Sequence, residues 1–343
     1  MCFNNDIEQV NNTKENAIIK INIAEIISSF QKLVQSNSHI NYQILSTELP
    51  SCRPIWTGVD PLALVNYTSG STGEPKGVLL THQNLLARLN WQWNKDSPIS
   101  FNSDDIAMFR TNVCFIDSPI EVFGAVGRLI NSIITLPEIM ANPSAFVALA
   151  RRHGVTRIVL VPSPWKAIAD FAIRTGEKLE SLRTIIYSGE PLKSSIIRKT
   201  RVFCPFANRL INLYGATETS GDVLYEELMD DQYLCDREEA VPVGRPLDNT
   251  CVYLLDSFLN PVPDGEVGEI YVSGALIARG YLGASTTAFI ENPFAKEGTP
   301  AMYCTAYTVH ILIFVYVLRE PICIFVLCLM PDDFWRVLLW RNI

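Results

Sequence analysis

The sequence predicts an α/β fold, with layered and largely parallel sheets carrying helices, followed by a small β-rich subdomain. Three observations lead there. Val155–Val161 is a β-branched run bounded by Gly154 and Pro162, the pattern of a strand buried on both faces. Similar short apolar runs alternate with segments of helical period through the middle of the chain, which calls for a parallel sheet flanked by helices. From Val241 the alternation stops, and short strands at Cys251–Leu255 and Glu269–Ser273 are separated by Asn, Pro, Asp and Gly turns.

Residues 1–56 read as an irregular N-terminal segment with one amphipathic helix, since Ile23, Ile26, Ile27, Phe30 and Leu33 recur at helical spacing. Residues 57–240 form the α/β core. An apolar strand at Leu64–Val65 enters a loop of small residues, a second apolar strand leaves it, and a helix capped by Thr81 runs to Trp93. Strands are expected at Asp105–Phe109, Ile133–Leu136, Val155–Val161, Arg183–Tyr187 and Arg209–Leu213. Helices are expected over residues 119–129, 142–153, Trp165–Arg174 and Lys193–Phe203. Residues 241–305 are the β-rich subdomain. Residues 306–343 form an apolar tail, in which Val309–Val317 and Ile322–Met330 are separated by Arg319, Glu320 and Pro321. Neither half has the ~20 residues of a membrane span, and joining them would put charge and proline at the bilayer centre. No membrane partner is expected.

The chain has 343 residues, enough for more than one core, with 48% hydrophobic and 19% charged residues, a globular composition. A net charge of −8 argues against nucleic acid as a partner. The nine cysteines are odd in number and show no zinc-ligand spacing, and the N-terminus lacks the basic leader and apolar run of a signal peptide. Reduced thiols in the cytoplasm are the expectation.

Three motifs carry chemistry. The first is Tyr67-Thr68-Ser69-Gly70-Ser71-Thr72-Gly73-Glu74-Pro75-Lys76-Gly77. Its glycines let backbone N–H groups approach an anion, its hydroxyls add donors and Lys76 adds a point charge, so the natural ligand is a polyphosphate. It is not the loop of P-loop NTPases: Pro75 replaces the second glycine and Gly77 the Ser or Thr after the lysine. The second is Tyr187-Ser188-Gly189-Glu190-Pro191, closing a strand and opening a helix. The third is Asn212-Leu213-Tyr214-Gly215-Ala216-Thr217-Glu218-Thr219 after a further strand, at the edge where α/β sheets place ligands. There Tyr214 can stack on a base, Thr217 can meet phosphate and Glu218 suits Mg²⁺.

In this order the motifs resemble those of the adenylate-forming superfamily, and the stretches Gly265–Leu282 and Thr286–Phe294 resemble its nonribosomal-peptide-synthetase adenylation domains. The resemblance runs from Pro61 to Met302. It implies attack of a substrate carboxylate on the α-phosphate of ATP, giving an acyl-adenylate and pyrophosphate, with Mg²⁺ as the metal. The acyl group would then pass to the phosphopantetheine thiol of a carrier domain. It assigns Lys76, Thr217 and Glu218 to catalysis, with Glu218 on the metal. It assigns Thr68, Ser69, Gly70, Ser71, Thr72, Gly73, Lys76, Gly189, Glu190, Pro191, Asn212, Tyr214, Gly215 and Thr217 to the nucleotide.

By the same resemblance the substrate pocket falls on Ile116, Asp117, Ile120, Leu160, Ile186, Ser188, Leu213, Gly221 and Asp222. Relatives that take α-amino acids carry an aspartate where Ile116 stands. Here the carboxylate is one place further on, and the pattern resembles that of relatives activating β-alanine. Two aspartates, Asp117 and Asp222, are expected to share the ammonium. The resemblance breaks at both ends. Residues 1–50 match no element of the family's large domain, and Ala306-Tyr307 stands where Gly-Asp should follow Met302-Tyr303-Cys304-Thr305. The expectation is an amino-acid-activating core incomplete at both ends and impaired. An inactive nucleotide-binding fragment and an acyl-CoA-ligase-like enzyme stand as alternatives.

Overall fold

The computed structural model describes residues 19–21, 60–68, 75–135, 137–228, 241–263, 266–283, 288–295, 301–316, 323–329 and 337–342. The N-terminal amphipathic helix and the tip of the glycine-rich loop, residues 69–74, lie outside them.

The chain begins with β1 (Ile19–Ile21), β2 (Leu62–Thr68), β3 (Lys76–Thr81) and α1 (His82–Trp93). Thr81 caps α1 as expected: its hydroxyl accepts from Asn84 N, and the Asn84 side chain accepts from Thr81 N. Next come β4 (Ile106–Phe109), α2 (Asp117–Val126), β5 (Asn131–Ile134), α3 (Pro137–Ala141), α4 (Pro143–Arg152) and β6 (Arg157–Leu160). Then follow α5 (Pro162–Thr175), β7 (Thr184–Tyr187), α6 (Ser194–Phe203), β8 (Arg209–Tyr214) and, after a 3₁₀ turn at Thr217–Thr219, β9 (Leu224–Glu227). The remaining strands are β10 (Arg245–Pro246), β11 (Thr250–Leu255), β12 (Val267–Gly274), β13 (Gly280–Tyr281), β14 (Phe289–Glu291), β15 (Ala301–Tyr316), β16 (Cys323–Leu329) and β17 (Val337–Asn342).

An eight-stranded sheet has the order β1-β5-β4-β6-β7-β8-β9-β10. Its five central strands are parallel, as the βαβ pattern demands, and β1, β9 and β10 add antiparallel edges. Strand β1 adds a short strand to the N-terminal segment 1–56, read as irregular apart from one helix: Ile19 pairs with Ile134 and Ile21 with Ser132. Side chains alternate between the two faces of this sheet. Met108, Ile158, Leu160, Ile185, Tyr187 and Leu210 pack under α4, α5 and α6, around Phe146, Trp165, Ile168 and Ile197. On the other face Ile186, Ile211 and Leu213 meet Trp91 of α1 and the inward side of the second sheet, including Ile270 and Val272. Each large apolar side chain so buried contributes roughly 1.5–3 kcal/mol.

The second sheet holds β11, β12, β14, β15, β16 and β17. The tail after residue 305 continues β15 and returns as an antiparallel meander, with His310 opposite Leu329 and Cys323 opposite Asn342. Among the described residues no helix is long and apolar enough to cross a membrane. A third sheet, β13-β3-β2, ties the glycine-rich loop to the β-rich region.

Two features of the central sheet create the site. The chain moves from β4 outward to β5 and then back across to β6, so the crossovers diverge at the C-terminal ends of β4 and β6, where open α/β sheets bind ligands. The two strands pair only at Ala107–Arg157 and Met108–Ile158. Beyond that point the Arg110 side chain fills the gap, with Nε donating to the Val159 carbonyl at 2.7 Å.

Candidate active site

The side expected to meet phosphate is built on the third sheet. Thr68 and Lys76 are register partners where β2 and β3 enter and leave the loop. Strand β13 lies against β3, with Tyr281 opposite Val78, and this places Lys76 Nζ 5.3 Å from the centre of the Tyr281 ring. The Tyr281 hydroxyl donates to Glu218 Oε1 at 2.7 Å, and the Ala278 amide donates to the Glu218 carbonyl. Burial and the Glu218 charge push the Tyr281 hydroxyl well up, and burial does the same for Tyr303. Both tyrosines are therefore protonated donors at neutral pH. One phosphate-loop cation, one carboxylate and two tyrosines thus converge.

Glu218 sits in the 3₁₀ turn after β8, with Thr217 partly exposed beside it. The turn is held by Thr219, whose hydroxyl accepts from Ala216 N, and by Ser220, whose hydroxyl donates to the Leu276 carbonyl. Gly215 makes the turn feasible: a Cβ there would lie 2.0 Å from the Gly221 carbonyl oxygen and 2.6 Å from Asp222 Cα. Mg²⁺ fits this donor set, because it is commonly held by one carboxylate together with substrate phosphates. Among the described residues no cluster of three His, Cys, Asp or Glu side chains would hold a metal unaided.

The residues expected to bind the acid lie at the divergence of β4 and β6. Asp117 opens α2, its carboxylate close to Gly221: a Cβ built on Gly221 would stand 3.3 Å from Asp117 Oδ1 and 3.8 Å from Ile116 Cγ2. Gly221 is held at φ +101°, a conformation open to glycine. Asp117 is densely surrounded yet still touched by solvent. Among the described residues its carboxylate makes no hydrogen bond or ion pair. Burial, reinforced by the Asp222 charge and opposed by Arg88, pushes its carboxyl up to about 7.

Asp222 is differently placed. Arg88, from α1, donates to its Oδ2 through Nη2 at 2.7 Å and Nε at 3.2 Å, and the Ser188 hydroxyl donates to Oδ1 at 3.0 Å. Arg88 and Asp222 side chains are 2% and 3% exposed. Next to this pair, Glu121 Oε2 accepts from the amides of Arg110 and Thr111. Its other oxygen is buried without a partner among the described residues. Burial raises this carboxyl to about 7 as well, against those hydrogen bonds and Arg110.

Most expected residues meet here. Ile116 and Ile120 pack together on α2 against β3, while Ile186, Leu213 and the Ser188–Asp222 pair close the opposite wall. Several residues stand differently from expectation. Leu160 points into the helix-covered core. Its neighbour Val159 faces the side of Ile186 and Leu213, because successive residues of a strand alternate. Asp222, expected to face the ammonium together with Asp117, is already paired with a cation of the protein, Arg88. Asn212 is fully buried and donates through Nδ2 to the Pro242 carbonyl at 2.8 Å, while its Oδ1 has no partner among the described residues. Tyr214 is 5% exposed and packed in the core, so most of its ring is unavailable for stacking. Glu190 accepts from the Ser163 amide and hydroxyl and so caps α5, while exposed Gly189 at φ +88° and Pro191 shape the turn. Ser69, Gly70, Ser71, Thr72 and Gly73 lie outside the described residues.

Sequence reasoning missed Arg88, Arg110, Glu121 and Val159, and took Tyr281 only as part of the Gly265–Leu282 stretch, without a contact of its own. Arg88 carried a signal: it lies on the buried stripe of α1 with Leu85, Leu89 and Gln92, where an unpaired charge is untenable. The others depend on contacts between distant segments.

Comparison with known proteins gives concordant results. The sequence pattern of the family described as AMP-binding enzyme matches residues 5–282. That extends the likeness well before Pro61, correcting the expectation that residues 1–50 match nothing in the family. The beta-alanyl-bioamine nonribosomal peptide synthetase ebony of Drosophila melanogaster is 37% identical over 268 residues, covering 74% of this chain and 30% of that protein. A dimodular nonribosomal peptide synthase of Bacillus subtilis strain 168 is 38% identical over 258 residues, covering 71% of this chain and 10% of that one. The chain thus spans a third or less of either relative. The solved structure of holo-PA1221, a nonribosomal peptide synthetase protein containing adenylation and PCP domains, superposes with a TM-score of 0.64 at 23% identity, covering 77% of this chain and 45% of that one. This last likeness concerns the fold alone.

Proposed function

The chain belongs to the AMP-binding enzyme family, and from that premise we propose that it activates β-alanine as the acyl-adenylate for transfer to the phosphopantetheine thiol of a carrier domain. A substrate carboxylate oxygen attacks the α-phosphorus of ATP. The new O–P bond forms as the bond to the bridging oxygen breaks, and pyrophosphate leaves. Negative charge accumulates on the phosphates, so the Lys76 cation and the loop donors assist the transition state more than the ground state. Mg²⁺, when bound at Glu218, would supply further charge neutralisation. Tyr281 holds Glu218 in place beside Lys76.

The observation carrying the substrate assignment is Asp117. It is an enclosed carboxylate that makes no ion pair or hydrogen bond among the described residues, although Arg88 and Arg110 lie near enough to act on it, and it stands beside apolar Ile116 and Ile120. Such a group calls for a cationic ligand. A carboxylate one residue into α2, with isoleucine at the preceding position, suits an ammonium one carbon further from the reacting carboxyl. The similarity to a synthetase named for β-alanyl transfer supports the same substrate. The sequence similarity to nonribosomal peptide synthetases supports a carrier as partner. The cytoplasm is the compartment that this reading requires. Four described cysteines, Cys114, Cys204, Cys251 and Cys304, are free thiols consistent with it.

The test is exchange of labelled pyrophosphate into ATP with β-alanine, α-alanine, 4-aminobutanoate and propanoate. Preference for β-alanine supports the assignment, whereas equal exchange with propanoate would point to an acyl-CoA-ligase-like pocket. One observation favours a second reading, nucleotide binding without turnover. Ala306-Tyr307 occupies the place of the Gly-Asp expected after Thr305. Retained ATP binding with no exchange for any acid would establish it.

A further inference from the structure

Arg88 has no role in the reaction as set out above, yet it is the most deeply buried cation bordering the site. It reaches from α1 to Asp222, 134 positions away in sequence, and is enclosed by Gln92 and the Trp91 ring, whose centre is 5.0 Å from the guanidinium carbon. A buried ion pair is a weak source of stability, because desolvation offsets the attraction. Its position therefore points to a purpose in charge arrangement. Three carboxylates, Asp117, Glu121 and Asp222, and two guanidinium groups, Arg88 and Arg110, surround the divergence of β4 and β6. Formally they leave one negative charge. The hydrogen bonds decide where it resides: Asp222 is held by Arg88 and Ser188, and Glu121 by the amides of Arg110 and Thr111.

We infer that Arg88 sets the substrate class of this pocket: by neutralising Asp222 it leaves Asp117 as the single ammonium receptor, which admits acids with one cationic group and rejects those with two. The inference rests on the amino-acid-activating function proposed above and deepens it. Arg88 acts here as a positioning residue, without touching substrate. With Arg88 absent, Asp117 and Asp222 would present two negative charges across Gly221. With Asp222 absent, the Arg88 cation would turn its field on Asp117 and compete with the ammonium.

The experiment measures equilibrium binding of two acyl-adenylate mimics, the N-β-alanyl sulfamoyl adenosine and the N-propanoyl one that lacks only its amino group, by titration calorimetry. The ratio of their affinities isolates the amine, and it needs no turnover. In the unaltered chain the amine-bearing mimic is expected to bind tenfold or more tightly, the range of a charge-assisted hydrogen bond. Asp117→Asn should bring the ratio near one, and Asp222→Asn should lower it at least fivefold. The double variant Arg88→Met with Asp222→Asn removes both charges of the pair and should restore the ratio to within threefold of its original value. It should also leave the 2,3-diaminopropanoyl mimic rejected. If the double variant is as impaired as Asp117→Asn, Asp222 itself binds the ammonium and the inference falls. If Asp222→Asn fails to fold, the double variant against Asp117→Asn decides alone. A ratio near one in the unaltered chain would instead refute the amino-acid assignment and this inference with it.

Discussion

Asp117 makes the affinity for an amine-bearing ligand depend on pH, in a direction and range set by the structure. Without ligand its carboxyl sits at about 7, raised from 3.8 by burial and by Asp222. An ammonium bound against it favours the ionised form, so binding expels a proton wherever the free carboxyl is protonated. Below pH 7 the affinity for the β-alanyl mimic should therefore rise about tenfold per pH unit, and above it should level off. By pH 5 Asp117 is largely protonated, and the loss against the plateau should approach the full factor, tenfold or more, that the amine contributes. The propanoyl mimic should show no such slope. Calorimetry in two buffers of different ionisation enthalpy should count about half a proton released at pH 7 and nearly one at pH 5.5. Glu121 also sits at about 7, so Glu121→Gln is the necessary control. A slope that survives in Asp117→Asn, or that vanishes in Glu121→Gln, would refute the assignment of the proton to Asp117.

Further expectations concern the scaffold. The raised Glu121 carboxyl means that the folded state binds a proton more tightly than the unfolded chain, so stability declines as pH rises between about 4.5 and 7. Glu121→Gln should flatten that decline in chemical denaturation at pH 4.5, 6 and 7.5, and an unchanged profile would contradict it. Leu160→Ala should cost about 2–5 kcal/mol of stability and leave the ligand ratio intact, since Leu160 lies in the helix-covered core. Val159→Leu, on the site face, should change that ratio with little effect on melting temperature. Gly215→Ala should destabilise by more than about 2 kcal/mol and abolish binding of both mimics, because its Cβ would overlap the Gly221 carbonyl.

The alternation of strands and helices was legible because each element carries its own period and punctuation. Gly154 and Pro162 bound β6, Thr81 caps α1, and the glycines and turns after Val241 announce the β-rich region. The motif residues were legible for a related reason. Loops that follow strands of a parallel sheet emerge at one edge, so Ser188, Gly221 and Asp222 were bound to meet. Strand alternation also held the correction from Leu160 to Val159, although only the packing on the two sheet faces showed which parity points at the site.

Local sequence determined the elements, the order of the loops and the chemical types gathered at the sheet edge. Tertiary structure decided which of those groups remains free to act. Asp117 and Asp222 look equivalent as letters, and both were expected to hold an ammonium. A guanidinium 134 residues away claims one of them, and the fold leaves the other without a direct ion pair among the described residues. Charge strength depends on burial and on the nearest partner, and both are properties of three-dimensional proximity that no local pattern encodes.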